Sequence, residues 1–291
     1  MVRIWAVILL CGAFVPKAVA QDFFVPNCKL PFVGKPHDID HQCGPVGNID
    51  PQLTTVQRKA ETAQNRLKNN LCRTGTPKVI ALADLAALQV QVDHLPGFKY
   101  GNVHTGEHGP PDSRSPLKHL TLADHRVFGE GDMVVFVGFL VEAHYSGQES
   151  VDCNSSTQAD VDLHVALGEE SGVHVATNEK AAEKNPKLCK TFSAEVIPHF
   201  RPAEWEKSSL DAIGDRKVRV TGQLFFDGSH HPRTCSEIAS KRPDPVRVSS
   251  WEVHPIYNIA ICRAGTACNP AHDADWEPVP NALLKEADME E

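Results

Sequence analysis

Alternation of apolar and polar residues dominates the chain from Gly131 onward. Met133 to Val141 is almost entirely apolar and β-branched or aromatic, which predicts a buried strand. Val161 to Leu167 alternates, with Val161, Leu163, Val165 and Leu167 on one face and Asp162 and His164 on the other. Ser193 to His199 predicts a shorter strand. Ala203 to Ile213 reads as a helix, with Pro202 near its start and Gly214 just past its end. Lys217 to Asp227 and Trp251 to Ile261 alternate again, and Trp251, Val253, Tyr257, Ile259 and Ile261 are expected to face inward. Upstream the period lengthens. Val56, Ala60, Ala63, Leu67 and Leu71 recur every three or four residues within 52–71, predicting a helix with an apolar face, and a second short helix is expected over Leu82 to Val92. Residues 21–51 and 96–116 are rich in Gly, Pro and His and read as irregular.

The order strand, strand, strand, helix, strand, strand resembles the OB-fold, a five-stranded Greek-key barrel. Val134 to Leu140 and Val218 to Leu224, each carrying a glycine, are similar to that fold's first and fourth strands, where glycine relieves a coiled strand. The resemblance spans Gly131 to Cys262 and implies a mainly β fold, an OB-type barrel preceded by a helical, loop-rich N-terminal region. The stretches Glu195 to Pro202 and Trp251 to Pro255 are similar to uncharacterised exported bacterial proteins, a likeness that brings no activity with it. The expected organisation is a signal peptide over 1–20, an N-terminal region over 21–126, a barrel over 127–263 and a tail over 264–291.

The N-terminus argues for export. Arg3 precedes an uncharged apolar run from Ile4 to Val15, and Ala18-Val19-Ala20 supplies a small-x-small cleavage pattern, so cleavage is expected after Ala20. The run is shorter than the roughly 20 apolar residues of a spanning helix. Leu10 before Cys11 is too large for a lipoprotein signal. A secreted or periplasmic location follows, with no transmembrane segment. Removing Arg3 and Lys17 with the signal takes the formal charge from −8 to −10, a balance that disfavours general binding of nucleic acid. Eight cysteines would remain, Cys28, Cys43, Cys72, Cys153, Cys189, Cys235, Cys262 and Cys268. An even number without a CxxC pair favours disulfides over a zinc–thiolate site. Cys28, Cys43 and Cys72 are expected to hold the N-terminal region together, and the later five to tie barrel loops.

Candidate chemistry lies on the polar faces of the strands. Asp162 with His164, Glu195 with His199, and Glu252 with His254 fall two or four residues apart on strands that neighbour one another in a closed barrel. Carboxylate and imidazole together suit a divalent metal or acid–base catalysis, and the same residues are also ordinary on a wet strand face. A second set, Phe225, His230, His231, Arg233, Arg242 and Arg247, offers an aromatic surface and a locally basic loop for an anionic ligand. The N-terminal histidines His37, His41, His104, His108, His119 and His125 form a lesser metal candidate. No GxxxxGK[ST], GxGxxG, HExxH or GxSxG motif occurs. Three functions stay open: a binding module meeting an unknown ligand or protein partner through its outer barrel face and long loops, a metal-dependent hydrolase, and a non-catalytic structural envelope protein.

Overall fold

The computed structural model describes residues 43–44, 46–171, 187–237 and 244–280. Its centre is a closed barrel of five strands in a mixed sheet. The elements are α1 (Thr55–Lys68), β1 (Lys78–Val79), α2 (Leu82–Asp93), β2 (Leu120–Thr121), β3 (Val127–Phe128), β4 (Met133–Tyr145), β5 (Leu163–Gly168), β6 (Thr191–Val196), α3 (Lys207–Asp211), β7 (Lys217–Phe226), β8 (Trp251–Cys262) and β9 (Trp276–Pro278).

The long strand β4 makes closure possible. Its first half pairs antiparallel with β7, from Met133 opposite Gln223 to Phe139 opposite Lys217. Its second half pairs with β5, ending with Tyr145 opposite Leu163. The antiparallel pairs β5–β6 and β7–β8 and a short parallel contact at Ala194 and Val253 between β6 and β8 complete the ring. A register shift between Leu140 and Glu142 bends β4 where it passes from one neighbour to the other. Gly222 answers the same need on β7, because a Cβ there would collide with the Pro255 carbonyl oxygen.

Alternation fills the barrel as the strands predict. Leu163, Val165, Leu167, Phe192, Ala194, Val196, Val218, Val220, Leu224, Phe226, Trp251 and Val253 share one buried cluster. Each Val, Leu or Phe among them contributes about 2 kcal/mol of burial. Trp205, Leu210 and Ile213, between β6 and β7, join this cluster, as do Leu85, Leu88 and Val92 of α2. The helix expected over Ala203 to Ile213 is broken: Ala203–Trp205 is a 3-10 turn, and α3 covers only Lys207–Asp211. On β8 the alternation changes phase. Val253 and Ile256 both point inward, across the register shifts between Thr221 and Leu224 of β7, and Tyr257 turns out to pack with Leu71 and Ile197.

α1 departs furthest from its sequence pattern. Thr54 caps it in a capping box with Gln57. The face it buries is Ala60, Gln64, Asn65 and Lys68, and Val56 is left 53% exposed. The polar face turns inward because α1 lies against polar groups. Asn65 Nδ2 donates to Val46 O (2.8 Å) and to Ser150 Oγ (3.0 Å), and Gln64 Nε2 donates to Ser229 Oγ (2.6 Å). Gln223 Nε2, on the outside of β7, donates to the carbonyl oxygens of Leu67 and His254.

Three disulfides join Cys43 to Cys153, Cys189 to Cys235 and Cys262 to Cys268, a pattern that fits an oxidising, extracellular-type compartment. The second ties the β5–β6 connection to the β7–β8 connection, and the third closes a short loop just after β8. The first corrects the expected N-terminal grouping: Cys43 is bonded to the β4–β5 connection, 110 residues away. Cys28 lies outside the described residues. No helix among the described residues is long and apolar enough to cross a membrane.

Candidate metal centre

The barrel registers carry one row of polar side chains around the outside of the strands. His144 on β4 stands opposite His164 on β5, and His164 stands opposite Glu195 on β6. The Ala194–Val253 contact sets Glu195 beside Glu252 and His254 on β8, and Glu252 stands opposite Phe225 on β7. Such a row would normally face water. Here most of it is covered. Asp162, Glu195, Glu252 and His254 are each at most 2% exposed.

The cover comes from α1 and the β4–β5 connection. Lys68 Nζ of α1 lies 2.5 Å from Glu149 Oε2, and Glu149 Oε1 lies 3.6 Å from His164 Nε2. His164 Nε2 is 3.5 Å from Glu195 Oε1. The other oxygen of Glu195 is 2.8 Å from His254 Nδ1, and His254 Nε2 is 3.7 Å from Asp162 Oδ2. Glu252 Oε2 approaches His254 Nδ1 at 3.7 Å, while its Oε1 takes the Arg247 guanidinium. Arg247 also reaches Asp227 at 2.8 Å, and Asp227 pairs with His230 at 2.9 Å.

These contacts leave the polar atoms poorly satisfied. Both carboxylate oxygens of Asp162, both ring nitrogens of His254, Glu195 Oε2, Glu252 Oε2 and His164 Nε2 are buried with no hydrogen-bond partner among the described residues. The 2.8 Å approach of His254 to Glu195 has the length of a hydrogen bond without its alignment. Buried polar groups are normally paired, and leaving one unpaired costs about 1–3 kcal/mol. Two triads bring ligand-type atoms within 4.8 Å of one another: Asp162, Glu195 and His254, and Glu149, His164 and Glu195. Their oxygen and imidazole donors suit zinc, manganese or iron.

The electrostatics follow the same geometry. Burial opposes charge on His254, but the Glu195 carboxylate, with Glu252 and Asp162, more than offsets it and lifts its pKa to about 10. His164 rises to about 9 by the same balance of burial against Glu195 and Glu149. Burial and the neighbouring Asp152 charge push the Asp162 carboxyl well above the usual range, and Asp152, whose carboxylate accepts from Asp162 N–H at 2.9 Å, rises to about 7 through burial and Glu149. Burial works against the Glu149 charge too, yet Lys68 and His164 hold its pKa at about 2.

Of the residues singled out from the sequence, Asp162, His164, Glu195, Glu252 and His254 come together. His199 does not share their row, because the strand stops at Val196 and Pro198 starts a 3-10 turn that carries His199 off the parity of Glu195. Sequence reasoning missed Glu149, Asp152 and Lys68. The first two lie just before the bonded Cys153, and Lys68 completes the polar stripe with Gln64 and Asn65.

Phe225, Arg233 and Arg247 of the ligand-binding set are buried. Phe225 is fully buried, between His254 (ring centroids 5.4 Å apart) and the Arg114 guanidinium (5.2 Å from its ring), so it offers no stacking face. Arg233 is buried and donates to the Asp244 carbonyl oxygen, and Arg247 is consumed by Asp227 and Glu252. His231 packs against Tyr100 with the rings tilted (centroids 4.1 Å apart), and His230 holds Asp227. Arg247 is thus an internal counter-charge. Arg242 lies outside the described residues. So do His37 and His41, and neither metal triad includes an N-terminal histidine. A surface cavity of about 810 Å³ lined by Gln89, Asp93, Tyr100, His108 and His231 shares no residue with the triads. Compared with known protein families, with curated proteins and with solved structures, the chain finds no match in any of the three.

Proposed function

We propose that this chain is an exported metalloprotein whose OB-type barrel holds a divalent transition-metal ion through Asp162, Glu195 and His254. The observation that carries the reading is the orphaned state of Asp162 and His254. Both are at most 1% exposed, and all four of their side-chain polar atoms lack a hydrogen bond among the described residues. An ion would accept from both residues at once and replace repulsion among the carboxylates with attraction.

The OB reading is supported by the strand order, with α3 between the third and fourth barrel strands and a parallel contact between the third and fifth. Export is supported by the signal-like first 20 residues and the three disulfides. Division into a signal, an N-terminal region over 21–126, a barrel over 127–263 and a tail is part of the same proposal. The binding-module reading loses ground because the outer barrel row is covered. Hydrolysis is the chemistry that a bound ion would add, by lowering the pKa of a coordinated water.

The test is elemental analysis of the oxidised chain after exposure to zinc or manganese and removal of excess, beside Asp162→Asn. Retained metal in the wild type, lost in the variant with an unchanged circular dichroism spectrum, is the expected result. A wild type that retains no metal overturns the reading.

A further inference from the structure

We infer that the covered row holds two ions, bridged by the Glu195 carboxylate. The inference rests on the metal reading above and extends it.

Glu195 is 2% exposed, and its two oxygens face different partners. Oε1 looks toward His164 Nε2 at 3.5 Å and Oε2 toward His254 Nδ1 at 2.8 Å. It is the residue shared by the two triads, and each triad brings its own histidine and its own second carboxylate, Asp162 on one side and Glu149 on the other. A carboxylate placed between two separate ligand sets in this way is the usual bridge of a two-ion site, in which the ions stand about 3.5–4 Å apart. His164 Nε2 and Glu195 Oε2 are buried and lack hydrogen-bond partners among the described residues, so unsatisfied donor atoms occur in both triads.

The two positions differ in access. Asp162 and His254 are closed off, as in structural sites, whereas the side chains of His164 and Glu149 are 22% and 27% exposed. The outer ion therefore keeps a side open to water, the arrangement of catalytic sites. Lys68 occupies only Oε2 of Glu149 and leaves Oε1 facing His164.

The experiment loads the full-length, oxidised chain with Mn²⁺ alone, removes excess, counts ions by mass spectrometry and records the electron paramagnetic resonance spectrum. Two ions per chain with an exchange-coupled multiline spectrum are expected. Glu149→Gln and, separately, His164→Gln should each lower the count to one and leave the six-line spectrum of an isolated ion. A wild type with one ion and six lines overturns the bridge and leaves the single-ion reading standing. Two uncoupled ions also overturn it, and no retained ion removes both readings. The wild-type spectrum decides the matter even if a variant fails to fold.

Discussion

Lys68 of α1 and Glu149 of the β4–β5 connection meet at 2.5 Å above the outer face of the barrel, and through that pair the helix is fastened to the site it covers. Lys68 is 9% exposed at its side chain and Glu149 27%, so the pair is shielded but not sealed. Lys68→Met should lower the unfolding free energy by about 2 kcal/mol, between the values for exposed pairs and for fully buried ones. Combining it with Glu149→Gln should recover part of that loss. Urea unfolding of the two single variants and the double variant checks this, and strictly additive losses would show that the pair is not coupled.

The histidines set a pH dependence for the metal-free chain. His254 stands at about 10 and His164 at about 9, both above the ordinary 6.5. A group whose pKa rises on folding stabilises fully below its unfolded value and loses that contribution as pH climbs through the folded value. The chelated protein should therefore lose thermal stability between about pH 6.5 and 10. Metal binding near pH 7 should release protons, since ligand histidines are neutral. Calorimetric titration in buffers of different ionisation enthalpy measures the release; no buffer dependence would mean that the imidazoles are already uncharged.

Phe225 should behave as a core residue. Phe225→Ala is expected to cost about 3–5 kcal/mol, because the ring is buried beneath Arg114 and beside His254. Chemical denaturation reads the loss. A variant of wild-type stability would return Phe225 to the list of candidate ligand-contacting residues.

The two disulfides of most unequal span should differ in value. Cys43–Cys153 closes 110 residues and Cys262–Cys268 closes 6. On chain entropy alone, replacing the first pair by serine should cost about 2.5 kcal/mol more than replacing the second. It should also weaken metal retention, since Cys153 lies in the segment that carries Glu149 and Asp152. Equal unfolding midpoints for the two double variants would contradict the entropic ordering.

Much of the barrel was legible because its strands alternate: Leu163 and Val165 fill the interior and His164 lies outside, as period two requires. The acid–histidine row was legible for the same reason, up to His199, where Pro198 ends the strand. What alternation does not encode is the cover. A helix with Val56 and Ala63 on one stripe and Gln64, Asn65 and Lys68 on another reads as apolar side down. It sits rotated toward that polar stripe, with Ala60 still buried, because the surface beneath it is polar, a fact stored in Glu149, Ser150 and Gln223, residues 80 to 160 positions away. The same long-range packing makes Arg247 a buried counter-charge and not a loop cation.

The Cys43–Cys153 bond adds an ordering in time. The segment bearing Glu149 and Asp152 is held by Lys68 and Asn65 and, in addition, by this bond, so the cover gains its covalent anchor only where thiols are converted to disulfides. A chain made in a reducing compartment would carry an unfinished chamber. An ion bound as proposed would then be drawn from the metals present where the bond closes.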